Sequence, residues 1–115
     1  MNKYITLNAD GYFVFNNEVV TDVPIGGGLL TNLKSLPNGG FTTTLNKIDA
    51  FVEAYDHPLV IQDVSPLEEF SFSLTAAYEF SFIFDCRKFY VDEWDRFCGT
   101  TNNIPFVLSL SLIHI

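Results

Sequence analysis

Glu53, Tyr55, Asp56 and His57 fall inside the stretch VEAYDHPLV, Val52 to Val60, fenced by apolar side chains. Two carboxylates and an imidazole are the ingredients of acid/base catalysis and of sites for Zn, Mn or Fe. A metal site would need Glu53, His57 and Asp63 to converge. In an extended chain Glu53 and His57 lie roughly 13 Å apart, so they share a ligand only if the chain bends sharply between them. One credible histidine cannot build a histidine-rich site, and neither HExxH nor HxH spacing occurs. Asp-His-Pro also meets the needs of a turn: aspartate bonds the backbone, proline fixes φ and pushes His57 to an extended conformation. The preferred reading is a strand and a structural turn. Glu53, Asp56, His57 and Asp63 are the candidate binding residues, and no cofactor is called for.

Other chemistry-bearing stretches read more simply. Gly26-Gly27-Gly28 precedes a helical pattern, and free amides at a helix N-terminus attract anions. Leu29-Leu30 stands where a phosphate loop needs Lys-Ser/Thr, so the glycines read as a helix entry or a close backbone approach. Cys86 and Cys98 sit in no CxxC and beside no histidine, and read as free thiols. Tyr90, Trp94 and Phe97 form a stripe at helical spacing, expected in the core. Arg87-Lys88 reads as a solvated connection. No GxSxG or SxxK occurs.

These residues must be held by short elements. YITLNADGYFVF predicts a hairpin, and Asn16-Asn17 a turn toward Val19-Val20. Leu29, Leu33 and Leu36 recur on one helical face, predicting a helix from near Gly28 to Pro37. Phe41 to Leu45, Ala50 to Tyr55 and Leu59 to Val64 predict strands. EFSFSL and AYEFSFIFD alternate with period two, the strongest signal in the chain: Phe70, Phe72 and Leu74 on one face, Tyr78, Phe80, Phe82 and Phe84 on another, with Glu79 and Ser81 outward. Tyr90 to Cys98 predicts a second helix, with Asp92 as its N-cap and Gly99 as its stop. Thr100 to Asn103 reads as a loop before a last strand from Ile104 to Leu108, where Pro105 suits a strand start or edge. No internal repeat stands out.

Composition narrows the function classes. The 115 residues are 48% hydrophobic, 16% aromatic and 17% charged, with twelve phenylalanines, which suits a folded core and excludes disorder. Fourteen acids against six bases give a net charge of -8, a surface that repels nucleic-acid phosphates and anionic lipid. Polar interruptions leave no membrane span, and MNKYITLNADG has no signal-peptide h-region. A cytoplasmic protein is expected.

The motifs Asp10-Gly11-Tyr12-Phe13, Val20-Thr21-Asp22, Leu29-Leu30, Gly40-Phe41, and Val52-Glu53 with Pro58-Leu59-Val60 give the first half its character. From Ile5 to Val64 the chain resembles a bacterial family of unknown function with SH3-like β-barrel motifs in tandem. The resemblance implies small curved antiparallel sheets and a regulatory or binding role, and brings no catalytic residues. The terminal LSLSLIHI resembles translated adapter sequence found in environmental gene predictions, although its Leu/Ser alternation also suits a terminal strand. Residues 1–109 are expected to form a single α+β domain, with 110–115 a non-native tail. Its architecture is expected to be a curved antiparallel sheet or partly open small barrel with two short helices. The expected function is non-enzymatic: a binding or regulatory module for a protein or small molecule. The alternatives are a small metal-dependent enzyme using Glu53, Asp56 and His57, and a structural homodimer subunit. Nucleic acid and membrane are not expected partners, and the chain is expected to be a monomer or homodimer.

Overall fold

Strand β1 (Lys3–Leu7) turns its Ile5 and Leu7 inward and pairs antiparallel with β2 (Phe13–Phe15), as the hairpin pattern predicts. The description rests on a computed structural model and covers residues 3–109; the tail from Leu110 to Ile115, with His114, lies outside the described residues. Asn8 closes the first turn, its Oδ1 accepting from the amides of Asp10 and Tyr12, both at 3.0 Å. Asn16 and Asn17, with φ of 52° and 65°, make the tight left-handed turn to β3 (Glu18–Val19).

The helix that follows is displaced from its predicted position. α1 spans Val23–Thr31, with Asp22 accepting from the Ile25 amide at 2.9 Å and Pro24 in its first turn, so all three glycines lie inside it. Glycine inside a helix costs about 1 kcal/mol; packing explains why one is needed. A Cβ on Gly26 would stand 2.2 Å from the ring of Tyr78. Leu33 is buried beyond the helix end, and Leu36 follows β4 (Lys34–Ser35) rather than continuing a helix. β5 (Phe41–Leu45) and β6 (Ile48–Ala54) complete a six-stranded sheet of order β3-β2-β1-β6-β5-β4.

The predicted Leu59–Val64 strand divides at Gln62 into β7 (Leu59–Ile61) and β8 (Asp63–Pro66), which serve different sheets. β8 pairs with β9 (Ser71–Thr75), and β9 with β10 (Ser81–Asp85), both antiparallel. The period-two reading holds on this pair: Leu74 and Phe84 are in the core, Phe80 and Phe82 pack partly buried against it, and Glu79, Ser81 and Ile83 face out. Phe70 is exposed instead of buried. Tyr78 belongs to a 3₁₀ turn, Ala77–Glu79, and not to the strand.

The second predicted helix does not form. Tyr90 to Cys98 is a hairpin: β11 (Tyr90–Val91), a turn, then β12 (Phe97–Thr101). The predicted loop from Thr100 is strand up to Thr101, and Asn102-Asn103 makes a second left-handed asparagine turn. β13 (Ile104–Leu108) completes the sheet β11-β12-β13-β7, with Pro105 one residue before the pairing with β7 begins. The described chain is thus mostly β, with one α-helix and two 3₁₀ turns, the second at Cys86–Lys88. Two of its sheets are mixed, because β1 runs parallel to β6 and β7 parallel to β13, the β10-β9-β8 sheet is antiparallel, and none closes into a barrel.

Those two parallel pairs expose a duplication that the sequence hides. Each half is a three-stranded meander, a helical connection, and a second three-stranded meander whose last strand returns parallel to the first. In the first half one straight strand, β1, serves both meanders; in the second it is split into β7 and β8. One core cluster joins the halves. Tyr78 reaches from the second half into the first, its hydroxyl accepting from the Phe13 amide at 2.8 Å and donating to the Val20 carbonyl at 2.6 Å. Both cysteines are free, and burial pushes the Cys98 thiol up to about 11. No helix among the described residues is long and apolar enough to cross a membrane.

Candidate binding site

The junction between the halves brings Asp56 and His57 against the β11–β12 turn. β6 ends as the Tyr55 amide donates to the Leu7 carbonyl at 2.9 Å, and the fully buried Pro58 anchors the other side of the bend. Opposite, Asp92 organises its own turn: one carboxylate oxygen accepts from the amides of Trp94 and Arg96, both at 2.9 Å, while Asp95 takes a left-handed φ of 59°. This is the aspartate-to-backbone bonding that also marks a helix N-cap, applied to a tight turn.

Arg96 links the two segments. Its Nε and Nη2 meet Asp92 at 2.9 and 2.8 Å, and its Nη1 meets Asp56, whose other oxygen lies 3.0 Å from His57 Nδ1. The result is one chain of partners, His57–Asp56–Arg96–Asp92, half-buried between the sheets. The Arg96 guanidinium holds the Asp56 carboxyl below the usual carboxylate range, against the effect of desolvation. For Asp92, desolvation also favours the neutral form, but the Arg96 and Trp94 amides and the guanidinium outweigh it and bring the value to about 2. Both carboxylates stay ionised at neutral pH.

A depression of about 440 Å³ opens over this chain, lined by Tyr55, Asp56, Trp94 and Arg96. Tyr55 is 80% exposed and Trp94, expected in the core, is 71% exposed. Large rings left in water beside a solvent-accessible ion pair mark a candidate recognition surface, because Tyr and Trp present large amphipathic contact area. Of the candidate residues that the sequence singles out, Asp56 and His57 come together here; Tyr55 enters there only as their neighbour in the chain, and Arg96, Asp92 and Trp94 are not among the candidates. Glu53 and Asp63 do not join them: Glu53 stands on the exposed face of β6, and Asp63 opens β8 beside a different cleft lined by Asn8, Asp10 and Glu79. Among the described residues no group of three or more His, Cys, Asp or Glu side chains is arranged to hold a metal ion.

The folded value of Asp92 lies below the unperturbed 3.8, so its contribution to stability is present above about pH 4 and fades as pH falls toward about 2. Carbon-13 NMR of the side-chain carboxyls is expected to place the Asp92 midpoint near 2, and Arg96→Gln should move it upward. A midpoint near 4 in the unaltered protein would mean that the turn is not closed in this way.

No family model matches the chain, and no curated protein does. Among solved structures, a DUF1285 family protein from Shewanella baltica OS155 superposes with a TM-score of 0.76 at 12% identity, covering 96% of this chain and 87% of that one. A DUF1285 family protein from Silicibacter pomeroyi DSS-3 superposes with a TM-score of 0.73 at 10% identity, covering 98% of this chain and 67% of that one. At these identities the likeness shows a shared fold. It fits the expected resemblance to a bacterial family of unknown function, without the SH3-like barrel that came with it.

Proposed function

We propose that the chain is a non-catalytic binding module that takes a cationic side chain of a partner protein between Tyr55 and Trp94. The exposure of these two rings over the Asp56–Arg96 pair carries the reading. Arg96 is consumed by two carboxylates, so it offers no free charge to an anion. The turn adds Glu93 and Asp95, and Asp10 lines the adjoining hollow: five carboxylates stand against one guanidinium. Electron-rich ring faces within a negative field favour a lysine or arginine side chain, each ring contributing about 0.5–2 kcal/mol depending on desolvation. Asp56 and Asp92, held ionised at neutral pH by Arg96, suit fixed electrostatic recognition better than proton transfer, which weighs against the enzyme alternative. The net charge of -8 points to the same class of partner.

Trp94 is the chain's single tryptophan, so its fluorescence reports on the site directly. Titration with a lysine- and arginine-rich peptide is expected to change the emission saturably and less so at high salt, while an aspartate- and glutamate-rich peptide leaves it unmoved. By calorimetry, Trp94→Ala and Tyr55→Ala should each weaken the basic peptide roughly two- to thirtyfold. Both changes should leave stability within about 0.5 kcal/mol, since exposed side chains are being removed. Equal responses to the two peptides, or no response to either, would overturn the reading.

A further inference from the structure

We propose that a second site, sharing no residue with the Tyr55–Trp94 depression, binds a medium-chain aliphatic carboxylate between α1 and the six-stranded sheet. A cavity of about 260 Å³ opens there, floored by Ile5, Leu29 and Ala50. That is the space of about eight or nine water-sized groups at roughly 30 Å³ each, the scale of an octanoate chain. Of its two hydroxyls, that of buried Thr43 is spent, donating to the Leu29 carbonyl at 2.6 Å, and that of Tyr4 belongs to the exposed rim. The inner lining therefore makes no polar demand on what enters, and an apolar guest is favoured because it takes apolar surface out of water.

The mouth selects the head group. Tyr4, Phe15, Ile25 and Ile48 stand exposed around it, more apolar surface than a solvated rim requires. Among the described residues, Lys3 is the single charged side chain lining the cavity. Lys3 gives a carboxylate its attraction at the mouth, against acids that stand nearby at Glu18 and Asp49, and the cavity behind takes the tail. A chain too short to fill the cavity gains little, and a neutral head forgoes the ammonium.

The test is NMR titration of the full chain with octanoate, with octanol and butyrate for comparison. Octanoate is expected to shift the amides of Ile25, Leu29, Thr43 and Ile48 saturably below its micellar concentration, and butyrate much less. Octanol should bind roughly two- to fivefold more weakly, the worth of an exposed ion pair. Lys3→Gln should bring octanoate down to octanol and leave octanol unchanged; because Lys3 is exposed, this variant folds. Ala50→Phe, which fills the cavity, should abolish both. Absence of saturable shifts would overturn the proposal, as would equal binding of octanoate to Lys3→Gln and the unaltered chain. Shifts at these residues that follow protein concentration instead of ligand would assign the face to a second copy of the chain, and also overturn it.

Discussion

Phe106→Ala is expected to cost about 3–5 kcal/mol, the range for emptying a fully buried aromatic position. The Phe106 side chain has no exposed surface and meets three rings: Phe84 at 4.9 Å, edge to face, Phe82 at 5.3 Å and Phe89 at 6.1 Å between centroids. It lies across Gly99, its register partner on β12, where a Cβ would stand 2.4 Å from the ring tip. The same ring therefore closes the second half from both sides, and its loss opens a cavity against a glycine that cannot fill it. Urea unfolding should show the midpoint fall without a change in slope. Ile83→Ala is the matched control: Ile83 is on the outer face of β10 and 70% exposed, so its change should stay within about 0.5 kcal/mol. Comparable losses at the two positions would show that both faces of the β9–β10 pair are buried in solution.

That contrast also marks how far the sequence could be read. The Phe-rich alternation and the hairpins at Asn8-Ala9-Asp10-Gly11 and Asn16-Asn17 were legible because each signal is local: side chains two apart share a face, and asparagine tolerates a left-handed φ. The parallel pairings of β1 with β6 and of β7 with β13 were not, since nothing near Leu7 in sequence announces Ala54. The duplicated topology rests on those pairings and was hidden with them. At Tyr90 to Cys98 the helical spacing of Tyr90, Trp94 and Phe97 coincided with a hairpin whose turn is closed by Asp92, because the same aspartate chemistry serves an N-cap and a tight turn. That coincidence placed Trp94 in the core and concealed the Arg96 bridge to Asp56. Asp56 and His57 were visible as a polar pair before a proline; what they meet depends on a turn that only tertiary folding brings alongside.

Tyr78 and Gly26 are expected to behave as one unit. Tyr78→Ala should cost about 3–5 kcal/mol, as for other buried aromatics. Tyr78→Phe should cost about 1–3 kcal/mol alone, because the buried Phe13 amide and the Val20 carbonyl each lose their partner. Gly26→Ala should cost about 1–3 kcal/mol or more, the penalty of overpacking, since its methyl would enter the ring at 2.2 Å. Tyr78 cannot easily retreat: its hydroxyl is tied at both hydrogen bonds, its ring meets Tyr12 edge-on at 5.0 Å, and its backbone is held at φ 59°, a strained conformation for a bulky residue that persists only when its surroundings fix it. In the Tyr78→Ala background the added methyl has room, so Gly26→Ala there should cost close to nothing or become favourable, as alanine exceeds glycine in helix propensity by about 1 kcal/mol. The double-mutant cycle should therefore show a coupling of about 1–3 kcal/mol. Strict additivity would mean that Tyr78 does not stand on Gly26, and that the three glycines within α1 need another explanation.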